Sequence, residues 1–212
     1  SPSLSVPSRR EVTLSEVSVE LLDGTGSVVA STLTNAQGAY SFTNLRPGTY
    51  TVREIQPAGF FHGGQVAPAT GGDDSQDDLI SQIRVGSSQA ITEANFCELP
   101  PAQISGFVFQ DGPVITNTTG QLPENIRSIR DGQRTSDDTP LAGVVLQLRS
   151  LTGLPLDASR ALPGIYSGET IEVVTDANGH YEFTGLRPGT YHVYQQQPTG
   201  FVDSLDTPGT TT

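Results

Sequence analysis

The chain has 212 residues with 23 acidic and 11 basic side chains, for a net charge of −12, and this acidic balance excludes a surface built to hold a nucleic-acid phosphate backbone. All the basic residues are arginines, which rules out a lysine Schiff base, a P-loop lysine and a lysine-to-asparagine isopeptide crosslink. With one cysteine, Cys97, and no Met or Trp, no intrachain disulfide can form, so the fold rests on packing and any bound metal.

Residues 1–10 are rich in Ser and Pro and read as a polar end, with Leu4-Ser5-Val6 able to add an edge strand. A chain that opens at Ser1 and contains no Met reads as a processed or excised segment whose targeting signal lies elsewhere. In residues 12–22, Val17, Val19 and Leu21 alternate with polar neighbours, predicting the first strand. The turn Asp23-Gly24-Thr25-Gly26 leads to a second strand over 28–33.

Residues 34–60 then read TNAQGAYSFTNLRPGTYTVREIQPAGF, and residues 175–201 read TDANGHYEFTGLRPGTYHVYQQQPTGF, with 17 of 27 positions identical. A phrase repeated this closely marks two related units. Each copy predicts a hairpin. An Asx-Gly turn comes first, then aromatics two apart (Tyr40 and Phe42, Tyr181 and Phe183), an Arg-Pro-Gly-Thr turn, and a return strand carrying Tyr50 and Val52 or Tyr191 and Val193. All these apolar residues are expected on the inward face, as core rather than as a sugar-stacking platform.

Residues 59–72 read as a Gly- and Pro-rich loop, and Asp73, Asp74, Asp77 and Asp78 as a solvated acidic patch. Strands follow at 79–85 and 90–96. Pro100 and Pro101 mark a boundary, because proline resists helix and central strand alike. The second unit opens with a strand over 104–109, and residues 110–140 form a long polar insertion. Residues 141–148 correspond to 14–21 at an offset of 127 rather than 141, so about 14 residues near 151–167 are extra. Three segments result: 1–10, 11–101 and 102–212. The first unit lacks a counterpart of strand 104–109, and the counterpart of 79–96 in the second would lie past Thr212. No run of 18 apolar residues is present, so a membrane span within these residues is not expected.

These phrases, with GFVFQDG, PLAGVVLQL and ITEANFCELPPAQISG, resemble the B-type repeats of bacterial surface adhesins in the serine-aspartate-repeat and collagen-adhesin group. The resemblance covers nearly the whole chain. It implies an all-β chain of two tandem prealbumin-like or immunoglobulin-like β-sandwich domains, serving as a stalk or spacer on the cell surface. In that family a segment like ANFCELPPAQISGFVF joins the last strand of one repeat to the first of the next, so this chain is cut out of phase with the repeats. Either it comes from a longer array, or neighbouring subunits supply the missing strands.

The resemblance also points to calcium. Residues 131–138 are similar to the acidic Asp-Gly loop that binds calcium in such repeats, which nominates Asp111, Asp131, Asp137 and Asp138; the spacing is broken by residues 113–130, and Arg134 falls inside the loop. The bland reading is that these are turn residues. Cys97 reads as a buried, unreactive thiol rather than a thioester. His62, His180 and His192 sit in no zinc or nucleophile motif, His180 and His192 are placed on outward positions, and Glu169 and Glu172 read as strand-surface residues. Asn117-Thr118-Thr119 fits a glycosylation sequon.

The function expected from these observations is a non-enzymatic, extracellular structural protein, a spacer or the repeating body of a surface fibre, whose partners are like subunits or neighbouring repeats. A different class, an adhesive module, would recognise carbohydrate or a host protein through loops 113–130 and 151–167.

Overall fold

The computed structural model describes residues 12–113, 124 and 130–201, arranged as two compact units, Ser1–Pro100 and Pro101–Thr212. Both are all-β, with a single short 3-10 turn among the described residues. The strand suggested at Leu4-Ser5-Val6, the sequon at Asn117 and most of residues 113–130 lie outside the described residues.

In the first unit, β1 (Ser18–Leu22), β2 (Val28–Leu33), β3 (Gly48–Glu54), β5 (Asp73–Gln76) and β6 (Leu79–Val85) form one antiparallel sheet in the order β2-β1-β3-β6-β5. Alternation along these strands turns Val19, Leu21, Val52, Ile80 and Ile83 to one face, where they are buried. Leu21 stands opposite Val52, and Val52 opposite Ile80, so the core is a ladder of cross-strand neighbours. Tyr40, Phe42, Leu45, Tyr50, Ile91, Ala94 and Phe96 pack against it. A second pair, β4 (Phe61–Val66) and β7 (Asn95–Leu99), is antiparallel.

Two expectations for this unit change. Residues 59–72 are not all loop, because β4 runs through them. Its sequence, FHGGQV, hides the strand: two glycines erase the alternation, and Gly63 is bare because a Cβ there would lie 2.7 Å from the Cys97 carbonyl oxygen. The strand expected at 90–96 begins later, at Asn95, after Glu93 takes a left-handed φ of 65° that interrupts the extended chain. Ile91 and Ala94 still reach the core, without a ladder.

The second unit pairs β8 (Ala102–Phe107) with β13 (His180–Leu186) and β9 (Phe109–Gln110) with β10 (Thr139–Pro140). It places β11 (Val145–Arg149) between β12 (Glu172–Val174) and β14 (His192–Gln195). Val144, Leu146, Leu148, Ile171, Phe183 and Leu186 form the buried core. The extra residues near 151–167 contribute to it: Leu156, Ala161 and Tyr166 pack inward, and the Tyr166 hydroxyl donates to the Thr184 carbonyl at 3.0 Å.

The two copies of the repeated phrase keep the same local bonds. Asn35 Oδ1 accepts from the N–H of Gln37 and Ala39, and Asp176 Oδ1 from those of Asn178 and His180. The Tyr50 hydroxyl donates to the Arg46 carbonyl, and the Tyr191 hydroxyl to that of Arg187. Tyr40 and Phe42 meet edge to face at 6.0 Å, Tyr181 and Phe183 at 5.9 Å.

Their surroundings differ. In the second unit the first strand of the phrase, β13, is laddered to β8, and Phe183 is fully buried. In the first unit residues 39–45 belong to no strand, no described strand pairs with them, and Phe42 is only half-buried. Conversely, β3 is covered on one side by β6, whereas β14 is a sheet edge among the described strands. Val52 is therefore 5% exposed and Val193 39%, which corrects the expectation that Val193 faces inward like its counterpart.

Candidate functional sites

In the second unit the four aspartates nominated for calcium lie on either side of residues 113–130. Asp111 is buried at the end of β9, and its Oδ2 accepts from the Gly132 N–H at 2.9 Å. Asp138 precedes β10; its Oδ1 accepts from Gly112 N–H at 2.6 Å and its Oδ2 from Thr135 N–H at 2.5 Å. Against a desolvation that raises it, these N–H donors and the nearby Arg130 hold the Asp138 carboxyl below its ordinary pKa. Asp131 Oδ1 accepts from Gln133 N–H at 2.8 Å, and Asp137 Oδ1 from the Thr135 hydroxyl. Asp111 and Asp138 thus reach across to each other's segments, while Asp131 and Asp137 bond locally. Among the described residues, these aspartates do not bring three ligand oxygens within 4.8 Å of one another. Arg134, inside the same loop, lies over the Phe107 ring at 4.0 Å, and Phe107 in turn meets His180 at 5.0 Å.

A tighter group occurs in the first unit, at residues the sequence did not connect. His62 on β4 is the cross-strand partner of Glu98 on β7, so both side chains project from the same face. Asp78 ends the two-residue turn between β5 and β6, where it adopts φ 59°, and its carbonyl accepts from the Glu54 N–H at 2.9 Å. His62 Nδ1 is 2.7 Å from Asp78 Oδ1, and His62 Nε2 is 3.4 Å from Asp77 Oδ1. His62, Asp78 and Glu98 bring ligand atoms within 4.8 Å of one another. Glu54, at the end of β3, is 7% exposed. Burial first, then the Glu98 charge and carboxyl, then Asp78, push its pKa from 4.5 up to about 8. Burial likewise raises Glu98. Glu54 Oε2 and Glu98 Oε1 are buried with no hydrogen-bond partner, while the other Glu98 oxygen accepts from the Gln56 amide.

The acidic run at residues 73–78 is therefore more than a solvated patch. Asp73 and Asp74 lie on β5, Asp74 Oδ2 accepts from Ala67 N–H at 2.9 Å, and Asp78 joins the His62 group. No pattern signal reveals this, because the partners of Asp78 are 16 and 20 residues away and Gly63 and Gly64 erase the alternation beside His62.

The remaining candidates resolve more simply. Cys97 is exposed, correcting the expectation of a buried thiol: alternation on β7 sends Phe96 and Glu98 inward and Cys97 outward. Glu172 bonds Gln147 at 2.7 Å on the strand surface, and Glu169 is exposed. His192 is exposed, while His180 is half-buried against Phe107. A shallow open cleft in the second unit is lined by Leu151, Leu156 and Arg160 from the extra segment and by Arg187, Thr190 and Tyr191 from the repeated phrase.

A family model described as SdrD B-like domain matches residues 6–96 and 128–212. Among curated proteins, the chain is similar to Serine-aspartate repeat-containing protein D of Staphylococcus aureus strain Newman, 26% identical over 212 residues, covering 94% of this chain and 14% of that protein. It is also similar to Serine-aspartate repeat-containing protein E of strain USA300, 26% identical over 193 residues, covering 91% of this chain and 14% of that protein. The chain thus spans about a seventh of the length of these relatives. Two solved structures align: a Streptococcal ancillary pilin (20% identity, TM-score 0.37, 90% of this chain and 51% of that one) and GBS52, the minor pilin of Streptococcus agalactiae (14%, 0.32, 94% and 77%).

Proposed function

This chain belongs to the SdrD B-like domain family, and from that premise we propose that it is a non-enzymatic, extracellular structural segment, a tandem sandwich spacer or the repeating body of a surface fibre. Its mechanism is mechanical. Ladders of backbone hydrogen bonds and two apolar cores hold shape and distance, and the acidic, lysine-free surface keeps neighbouring units apart.

The finer part of the proposal is that a strand from a neighbouring repeat or a like subunit completes each unit. The observation that carries it is the complementary pair of edges. Among the described residues, the second unit shows, in β8, the strand that residues 39–45 of the first lack, and the first shows, in β6, the strand that β14 lacks. Open edges of this kind favour β-augmentation.

Light scattering across concentration, joined to amide exchange, tests it. Self-association accompanied by new protection at residues 39–45 and 192–195 supports strand exchange. A monomer at all concentrations, with those amides already protected, ends it.

Calcium at Asp111, Asp131, Asp137 and Asp138 belongs to the same reading. Supporting it, the Asp111 and Asp138 carboxylates reach across between the segments on either side of residues 113–130, where a hard cation would join them.

A second reading, an adhesive module for carbohydrate or a host protein, draws on the cleft lined by Arg160, Arg187 and Tyr191, which combines two guanidinium groups with an aromatic ring. Glycan-array binding that disappears in an Arg160→Ala, Arg187→Ala variant would favour it over the spacer.

A further inference from the structure

The group around His62 has features that a solvated acidic surface lacks. Its members come from both sheets of the first unit: His62 and Glu98 from the β4-β7 pair, Glu54 and Asp78 from the end of β3 and the β5-β6 turn of the five-stranded sheet. Strand register fixes two of them, since His62 and Glu98 are direct cross-strand neighbours. A backbone hydrogen bond ties the other two, from Glu54 N–H to the Asp78 carbonyl. This group keeps buried oxygens without hydrogen-bond donors, one on Glu54 and one on Glu98. Glu54 is more than nine-tenths buried, and its carboxyl stands against those of Glu98 and Asp78. Buried carboxylate oxygens facing one another with no donor require a proton or a cation.

We infer that His62, Asp78 and Glu98, with the buried Glu54 carboxyl adjoining them, form a divalent-cation site of the zinc class, which clips together the two sheets of the first unit. One imidazole with carboxylates suits a first-row cation such as Zn2+, at about 2.0–2.2 Å per bond. Calcium, which takes six to eight oxygens, is served poorly by so few donors and a nitrogen. The contact of His62 Nε2 with Asp77 is the outer partner a ligating imidazole uses: with its proton held on Nε2 toward Asp77, Nδ1 is the ligand atom, beside Asp78 Oδ1. A cation drawing these groups in would link β4, the β5-β6 turn and β7 at one point.

The experiment is calorimetric titration of the full chain with ZnCl2 at neutral pH in a non-chelating buffer, with CaCl2 in parallel, repeated on His62→Gln and Glu98→Gln. The inference expects one zinc per chain, affinity weakened about 10- to 100-fold or lost in each variant, and Zn2+ preferred over Ca2+. Asp111→Asn should leave zinc binding unchanged, which separates this site from the calcium loop.

Should a variant fail to fold, imidazole nitrogen NMR of the unaltered chain decides instead. On adding zinc, the His62 signals should shift while those of His180 and His192 stay. Absence of saturable zinc binding, binding of equal strength in both variants, or a zinc response at His180 or His192 in place of His62 overturns the inference and leaves a shared proton as the group's only occupant.

Discussion

Thr34 and Thr175, 141 residues apart, make the same two bonds in their two units. The Thr34 hydroxyl donates to the Leu14 carbonyl at 2.7 Å and accepts from the Val17 N–H at 3.0 Å. That of Thr175 donates to Leu141 at 2.7 Å and accepts from Val144 N–H at 3.0 Å. Both threonines are buried, at 7% and 4% exposure. Each hydroxyl adds to the backbone bonds between the two segments just before β1 or β11, so that a further N–H and carbonyl are satisfied there.

Thr34→Val and Thr175→Val keep the shape and remove the hydroxyl, leaving the Val17 or Val144 N–H without its partner. Each is expected to cost about 1–3 kcal/mol, and Thr→Ser at either site much less. Urea unfolding followed by circular dichroism measures the difference, and a negligible effect of the valine changes would show that water takes the hydroxyl's place.

The same turn glycine should be unequally sensitive in the two units. Gly38 and Gly179 both have left-handed φ, 71° and 72°. A Cβ on Gly179 would lie 2.3 Å from the Val108 carbonyl oxygen, whereas on Gly38 the nearest atom is the Thr13 Cβ at 3.2 Å. Gly38→Ala is expected to cost about 1 kcal/mol from backbone strain, and Gly179→Ala distinctly more, because the backbone following β8 must also move. Thermal unfolding of the two variants compares them directly.

Glu54 gives the first unit a pH response. Its folded pKa is raised, from 4.5 to about 8, so folding favours the protonated carboxyl. That stabilisation is fully present below pH 4.5 and is lost as pH rises to about 8. The groups acting on it are Glu98 on β7 and Asp78 in the β5-β6 turn, with Tyr40 alongside and His62 completing the cluster. With chelator present, the melting temperature should fall between pH 4.5 and 8, and Glu54→Gln should flatten that slope and raise the melting temperature at pH 8. The lowered carboxyls, among them Asp138 and Asp176, act below this window, since their contribution is lost only as pH falls under about 3.8. An unchanged slope in Glu54→Gln would contradict the assignment.

Calcium should stabilise the second unit. Millimolar calcium is expected to raise its melting temperature by several degrees, as a site of modest affinity does when ligand exceeds its Kd severalfold, and chelator should reverse the shift. Asp111→Asn and Asp138→Asn should each reduce it. Absence of any shift with all four aspartates intact would retire the calcium loop.

The sequence by itself determined the all-β class, the duplication and the inward face of most of the repeated phrase. Period-two alternation depends only on neighbours along the chain, so Val19, Leu21, Val52 and Phe183 could be placed in a core before any partner strand was known. Turn chemistry is equally local, and Asn35 and Asp176 make the Asx bonds their sequence announces.

Tertiary structure alone decided which strand lies beside which, and therefore what covers each residue. Val52 and Val193 occupy the same place in one phrase, yet the first is buried because β6 lies alongside β3 and the second is exposed because β14 is an edge among the described strands. Gly63 and Gly64 concealed β4, and with it the pairing that sets His62 opposite Glu98. The approach of Asp78 to that pair depends on two sheets meeting, a relation between distant segments that no spacing along the chain encodes.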